Sequence, residues 1–480
     1  MADLVLAVDH GSTWCKARYF DRVGRVVAGG RATTRGIPAF GVTAADLERH
    51  WRAFAAAVRG AGAELAPDAL ALSSRIGLGV WLDERDRPVE VPGGVPLAAG
   101  EEEMDAVYGA PGWSQDTLPT YAPMLLARTL WLRRRHPALF ARVRRAGALH
   151  DWLLLKLTGR WATNPATGPG WPAAGWPPAV FALTGLPLAA FPEVCGFAEP
   201  VGRLTAASAE ELGLPAATTV VAGYHDGAAA TAGTGCLAPG DTCVTLGTSV
   251  AIRVVSDDPP AGWFRYPVAP ERWAWMRGLE LALAQLDQVA TLLRPGPVAD
   301  AHRELTALAE ALPRSPSGGG PGPLPPLPPA EAHRRAEAVD AALAAGHRPA
   351  AVYRAGLEGI AIGVGGLVVR ARQAGLDPRR FVVTGGGASN PLLLGILGAV
   401  LGAPLELGEV EAGARGAALA AAVAAGWHAS IADAARRLIP KSRTIAASAE
   451  DAAAYRAPAA RIEPPRDPWL PRRYWRALAT

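Results

Sequence analysis

The sequence predicts an α/β protein of large domains in which one plan, strand, small polar turn and strand, occurs twice. Three observations support this. The chain has 480 residues, more than one hydrophobic core usually serves, so length admits two to four domains or two large ones. An apolar run at 4–8 leads into Asp9-His10-Gly11-Ser12-Thr13 and then into an alternating run at 16–21. The same layout returns far downstream, where 241–246 leads into Gly247-Thr248-Ser249 and then into 250–255.

The elements follow in order. Residues 25–28 read as a third strand, 46–61 as an amphipathic helix, and 69–73 and 80–83 as strands flanking other segments. The pattern from 121 to 158 is helical throughout. The Gly-, Pro- and Trp-rich stretch 168–178 reads as a loop. A buried strand at 218–222 runs into Gly223-Tyr224-His225-Asp226-Gly227, and small residues then suggest a helix over 227–233. The Pro/Gly/Ser-rich stretch 315–329 reads as a linker or loop. A long helix is expected over 351–374, a strand over 381–384 and a small-residue helix over 416–425. From 440 onward the chain reads as irregular, with a basic aromatic tail at 469–475.

Composition narrows the function classes. Half the residues are hydrophobic and 19% are charged, which is the balance of a globular protein rather than a disordered one. The net charge of +4 comes mostly from scattered arginines. One cluster, Arg133, Arg134, Arg135, Arg142, Arg144 and Arg145, reads as a solvated face, because no aromatic interleaving or nucleic-acid motif accompanies it. Cys15, Cys195, Cys236 and Cys243 show neither C-x-x-C pairing nor zinc-type histidine spacing, and read as reduced, half-buried thiols of a cytoplasmic protein. The opening residues lack the charged region and long apolar core of a signal peptide. No uncharged apolar run is expected to span a membrane once Gly and Pro breaks are counted.

Four segments could carry chemistry. In Asp9-His10-Gly11-Ser12-Thr13, with Lys16 beyond, backbone N–H groups, hydroxyls and an ammonium could cradle phosphate, and Asp9 could hold magnesium, usually through water. Gly247-Thr248-Ser249 offers a similar donor set, and the two turns together suggest a clamp on one polyphosphate. Asp226 ends an apolar strand and could act as a base in phosphoryl transfer; spacing alone leaves it equally open to a helix-capping role. His225 is adjacent. In Thr384-Gly385-Gly386-Gly387-Ala388-Ser389-Asn390, three glycines after a strand allow close approach of a ligand.

In this order, these segments resemble the FGGY carbohydrate kinases, relatives of actin and hexokinase. The resemblance covers most of the chain and is closest in "YRAGLEGIA", "VVTGGGASNPLLLGILGAVLGAPLEL" and "EAGARGAALAAAVAAG". It implies two actin-like (ribonuclease H-like) α/β domains, each a mixed sheet flanked by helices, with a cleft between them. The implied layout is a sugar-binding domain at 1–234, an ATP-binding domain at 235–437 and a tail at 438–480. By resemblance, Gly11, Ser12, Thr13, Lys16, Gly247, Thr248 and Ser249 meet the phosphates. Gly278, Gly385, Gly386, Gly387, Ala388 and Asn390 line the nucleotide. Asp226 is the catalytic base and, with Asp9, a magnesium ligand; Asp226, with the adjacent His225 and with Arg75 by its position after the strand, is expected to face the acceptor. Arg128 falls where the family usually has Lys.

The chain departs from the family on the acceptor side. Arg75-Ile76-Gly77 replaces the usual Gln-His or Arg-Glu motifs, the W-x-D-x-R stretch is absent at 95–101, and 318–329 stands in place of the E-R-T-P loop. The expectation is therefore ATP- and Mg2+-dependent phosphorylation of a sugar, ketose, sugar acid or polyol, with no nucleic-acid or membrane partner and a homodimer allowed. The alternatives are a kinase-fold regulator without efficient turnover and an actin-like assembly ATPase.

Overall fold

The computed structural model describes residues 3–460, apart from 39–41, 63, 97–98, 110–120, 169–175, 177–181, 258–263, 314–319, 328–330 and 332. Most of the 168–178 loop and the aromatic tail at 469–475 thus lie outside the described residues. The chain forms two compact units. The first comprises Met1–Leu237, Phe264–Ala274 and Glu411–Pro440; the second comprises Ala238–Trp263, Trp275–Val410 and Lys441–Thr480. The expected domains are contiguous, whereas these units interleave along the chain.

In the first unit, β1 (Val5–His10), β2 (Trp14–Phe20) and β3 (Val26–Thr33) form an antiparallel meander. The chain then adds β4 (Ala69–Ser74), β9 (Pro200–Arg203) and β10 (Thr219–His225), giving the order β3-β2-β1-β4-β10-β9. Strand β4 lies parallel between β1 and β10, and apart from Thr219 at the start of β10 the three are apolar until their last residues, as strands buried on both faces must be. The helix Ala44–Gly62 buries Trp51 and Phe54 in this core. Asp9 and His10 are the last residues of β1, paired with Lys16 and Cys15, and not part of the turn as expected; the tight turn needs only Gly11 to Thr13 because Gly11 N donates to Trp14 O.

The stretch 121–158 is not helical throughout. The helices Tyr121–Arg135 and Leu149–Thr158 are separated by β6 (Arg145–Ala148), which pairs with β5 (Leu78–Leu82). A two-stranded parallel pair, β7 (Ala162–Thr163) and β8 (Glu193–Val194), follows. Four of the clustered arginines meet carboxylates: Arg134 with Glu103, Arg135 with Glu102, Arg142 with Asp83 and Arg145 with Asp86. The helices Asp226–Gly233 and Ala412–Ala424 cross backbone to backbone, since a Cβ on Gly233 or Gly416 would strike the other helix.

The second sheet has the order β13-β14-β12-β11-β15-β16-β17. Its strands are β11 (Asp241–Leu246), β12 (Val250–Ser256), β13 (Phe264–Ala269), β14 (Arg272–Leu279), β15 (Arg380–Thr384), β16 (Leu405–Leu407) and β17 (Arg443–Ile445). Strand β17 and the helix Ala449–Ala460 correct the expectation of irregular chain after 440. Tyr455 on that helix donates to Glu358 at 2.6 Å, beside the buried Arg354–Glu358 ion pair, so burial of polar groups anchors it where little apolar periodicity announces it. The helix Pro349–Gln373 is, against expectation, long and apolar enough to cross a membrane; 83% of its most apolar window is buried, as in a core helix. None of the four cysteines is in a disulfide, and all are buried rather than half-buried.

Candidate active site

The first unit gathers its polar residues at the carboxyl ends of three parallel strands. Asp9 lies beside Ser73 and His10 beside Ser74, while Tyr224 and His225 flank Ser73 and Ser74 from the other side. Ligands of open α/β sheets usually bind at such strand ends. A bulge in β10 between Val221 and Tyr224 sets this register. Gly223 makes the bulge possible: its φ is +64°, and a Cβ there would strike Leu72 O.

Asp226 opens the helix beyond β10, but it is not the cap. His225 caps, its Nδ1 accepting from Gly227 N at 3.0 Å and Ala228 N at 3.3 Å. The open alternative for Asp226 is thus largely taken by its neighbour. The Asp226 carboxylate accepts only from the adjacent Gly227 N at 2.7 Å among the described hydrogen bonds, and its side chain is 51% exposed. His225 itself is buried and walled by aromatic rings, with Tyr266 at 4.3 Å and Tyr121 at 5.1 Å between centroids; Phe264 packs on Tyr121 at 5.0 Å.

Asp9 sits in a close cradle. Ser73 Oγ donates to its Oδ1 at 2.9 Å, and a Cβ on Gly413 would come within 2.9 Å of its carboxylate. Desolvation pushes the Asp9 pKa up to about 6, opposed by the Ser73 hydrogen bond and raised further by the charge of Asp226. Lys16 lies 3.5 Å from Glu411, which also takes both bonds of a bidentate pair with Arg18 at 2.7 and 2.8 Å. The turn is pinned from β3, because Thr34 N donates to Thr13 O and Thr34 Oγ1 to Gly11 O.

Arg75 follows β4 directly. It is half-buried, donates to Ile37 O, and lies 3.4 Å from His50 Nε2. Among the described residues no carboxylate reaches it within salt-bridge distance, and its Nε is buried without a partner. Burial lowers its pKa, and the charge of Asp226 opposes that shift. Desolvation lowers the pKa of the nearby His10 to about 3 and of His50 to about 4, and that of His150, on Ser74, to about 4. Ser74 Oγ meets His150 Nδ1 at 2.9 Å, and His150 Nε2 meets Ala222 O at 2.7 Å, so β4 and β10 are tied from below. Arg128 is buried and reaches Leu78 O at 3.3 Å.

The second unit carries the other expected residues. In Gly247-Thr248-Ser249, Thr248 O accepts from Leu283 N and Ala284 N, and Ser249 Oγ accepts from Leu281 N at 3.0 Å, so the turn seats the start of the helix Ala282–Leu293. Gly278 lies near the end of β14. Gly385 has φ +94°, with a notional Cβ 2.6 Å from Leu246 O. Gly387 packs against Leu246 and Leu283, whereas a Cβ on Gly386 would meet nothing within 4 Å. Ala388 N donates to Gly385 O, which closes the turn. Asn390 caps the helix Pro391–Leu401 through Leu393 N, and its amide nitrogen meets Thr306 and Tyr353.

The structure thus brings Asp9, Lys16, Arg75, His225 and Asp226 together in one unit, and Gly247 to Ser249, Gly385 to Gly387 and Asn390 in the other. Sequence reasoning missed Ser73, Tyr121, Phe264, Tyr266 and Glu411. Only Ser73 carried a local signal, as a polar residue closing an apolar strand.

Residues 113–233 match the N-terminal domain, and residues 244–425 the C-terminal domain, of the FGGY family of carbohydrate kinases. The chain is 32% identical to a xylulose kinase of Streptomyces rubiginosus over 273 residues, which is 54% of this chain and about half (55%) of that relative. It is 26% identical to the L-xylulose/3-keto-L-gulonate kinase of Escherichia coli over 93% of both chains. The solved xylulose kinase of Rhodospirillum rubrum superposes with a TM-score of 0.75 at 21% identity, over 99% of this chain and 97% of that one. Its fold is therefore the α/β fold expected from the resemblance, and the chain belongs to the FGGY family of carbohydrate kinases.

Proposed function

We propose that this chain transfers the γ-phosphoryl group of ATP to a hydroxyl of a sugar, ketose, sugar acid or polyol, with Asp226 as general base. The observation that carries this is the position of Asp226: a half-exposed carboxylate at the end of β10, relieved of capping by His225, whose charge is felt by both Asp9 and Arg75. Phosphoryl transfer asks little covalent chemistry of a protein; it needs a base at the nucleophile and positive charge around the phosphates. Asp226 would take the hydroxyl proton. Thr13, Lys16 and the backbone of Gly11 and Ser12 would meet phosphate oxygens, as would Gly247, Thr248 and Ser249. Gly278, Gly385 to Gly387 and Ala388 would line the nucleoside. The acceptor side would belong to the first unit and the nucleotide side to the second.

The residues present fit magnesium. Asp9 is an oxygen donor made proton-hungry by desolvation and by Asp226, a strain that a dication relieves. Among the described residues no group of three or more His, Cys, Asp or Glu could hold a metal. That suits an ion which keeps several waters and takes one or two carboxylates plus phosphate oxygens. When bound with ATP it would neutralise charge on the phosphates.

Arg75 shapes the acceptor class. A half-buried guanidinium without a carboxylate partner favours an acceptor that brings its own negative charge or strong acceptors. Tyr121, beside His225, and Phe264, packed on Tyr121, would offer apolar ring surface for the carbon face of a sugar. One relative's name couples a ketose with a keto acid. A panel of neutral and acidic sugars and polyols, read by ADP release, tests the reading. Turnover is expected on at least one acceptor, and Arg75→Ala should cost acidic acceptors about tenfold more than neutral ones, as loss of a charged hydrogen bond does. Equal losses on all acceptors, or none, would remove Arg75 from selection.

A further inference from the structure

Asn390 ends the triple-glycine turn, and its side chain is fully engaged inside the second unit. Its Oδ1 accepts from Leu393 N at 3.0 Å, which fixes the orientation of the amide. Its Nδ2 must therefore donate, and it does so to Thr306 Oγ1 at 3.0 Å and to Tyr353 OH at 3.1 Å. The Tyr353 oxygen accepts there and has its own proton to place; His302 Nδ1 is 2.8 Å away. His302 Nε2 lies 2.9 Å from Asp287 Oδ1. A carboxylate oxygen accepts, so Nε2 donates to it, and in the neutral imidazole Nδ1 is then the acceptor. With that tautomer the chain of bonds runs one way: from the Asn390 amide to Tyr353, from the Tyr353 hydroxyl to His302, and from His302 to Asp287.

Three helices contribute to this chain: Ala282–Leu293 through Asp287, Val298–Glu310 through His302 and Thr306, and Pro349–Gln373 through Tyr353. Tyr353 is wholly buried, and burial raises the pKa of its hydroxyl, with the charge of Asp287 adding to the shift. A buried hydroxyl is costly unless bonded, so this arrangement selects one geometry. The turn that Asn390 ends begins with three consecutive glycines, Gly385, Gly386 and Gly387. Consecutive glycines lose the most backbone freedom on ordering, and any ligand that meets them must supply that cost unless it has been met beforehand.

We propose that Tyr353, His302 and Asp287 are positioning residues for nucleotide binding, a strut that fixes Asn390 and, through it, the Gly385 to Ser389 turn. This rests on the assignment of that turn to the nucleotide. The strut acts before chemistry, so its loss weakens nucleotide binding and leaves the transfer step alone.

Tyr353→Phe keeps the ring and removes the link. ADP affinity by calorimetry and KM for ATP should weaken about five- to tenfold, while kcat at saturating ATP and KM for the acceptor stay within twofold. His302→Ala should act in the same direction, and the double variant should be no worse than Tyr353→Phe, since both cut one chain. His302→Asn, which can present an acceptor near the Nδ1 position, should recover part of the loss. Measurements well below the melting temperature of each variant keep folding out of the comparison. Unchanged ADP affinity in Tyr353→Phe overturns the strut, as does a fall in kcat with KM intact. Gly386→Val separates this from failure of the nucleotide assignment: if wild type and Gly386→Val bind ADP equally, the turn does not meet nucleotide and the strut falls with it.

Discussion

The two strand–turn–strand hairpins of this chain share a scaffold and differ in what they present. In the first unit, β1 and β2 are antiparallel and β4 runs parallel to β1; in the second, β11 and β12 are antiparallel and β15 runs parallel to β11. Two residues before each turn glycine, Asp9 pairs with Ser73, and Thr245 with Thr384. Beyond those pairs the units part. Strand β4 continues into Arg75, a cation, whereas β15 continues into Gly385, Gly386 and Gly387, bare backbone. The first unit thus places charge at its strand ends, and the second places shape. Charge is what proton transfer and phosphate neutralisation need. Backbone without side chains is what close packing against a planar, largely neutral nucleoside needs.

The comparison is sharpened first by removing charge. Asp226→Asn should lower kcat by about two to four orders of magnitude, the usual worth of a general base, read by steady-state ADP release. A smaller effect is expected from adding shape. A Cβ at Gly386 meets no atom within 4 Å, so Gly386→Val should retain folding while ADP affinity falls at least about tenfold, one side chain's worth of lost contact and exclusion. The smallest effect is in the pH dependence of stability. The Asp9 pKa is raised to about 6 in the folded protein, so the native state holds that proton more tightly than the unfolded chain does. Without nucleotide and magnesium, wild type should therefore lose stability relative to Asp9→Asn as pH rises from about 4 to 6, and the gap should hold above that. Parallel melting-temperature curves for the two proteins would remove the strain assigned to Asp9.

Legibility differed between the same two kinds of feature. Strands β1, β11 and β15 could be read from sequence because each is a short, mostly buried run with β-favouring residues and a turn glycine follows it. Strand β6 could not: its four residues, Arg145, Ala146, Gly147 and Ala148, have no apolar alternation, and its place is set by pairing with β5 more than sixty residues away. The helix Ala449–Ala460 was missed for a related reason, since what secures it is the Tyr455 bond to Glu358, not a stripe of large apolar side chains. In the candidate site, Asp226 was legible as a strand-end carboxylate, but its release from capping was not. Capping preferences favour Asp over His, and only the backbone placement of His225 reverses them here. Asn390 was read as a nucleotide contact by resemblance; its amide bonds with the cap, Thr306 and Tyr353, partners 3 to 84 residues away. The aromatic wall of Tyr121, Phe264 and Tyr266 joins segments more than 140 residues apart, beyond any local pattern.

The most direct test of the division between charge and shape is to measure ADP affinity and turnover together in purified Asp226→Asn. The account predicts that turnover on the best acceptor collapses by at least about a hundredfold while the ADP dissociation constant stays within about twofold of wild type. Near-normal turnover in that variant would contradict the assignment of Asp226 as the base.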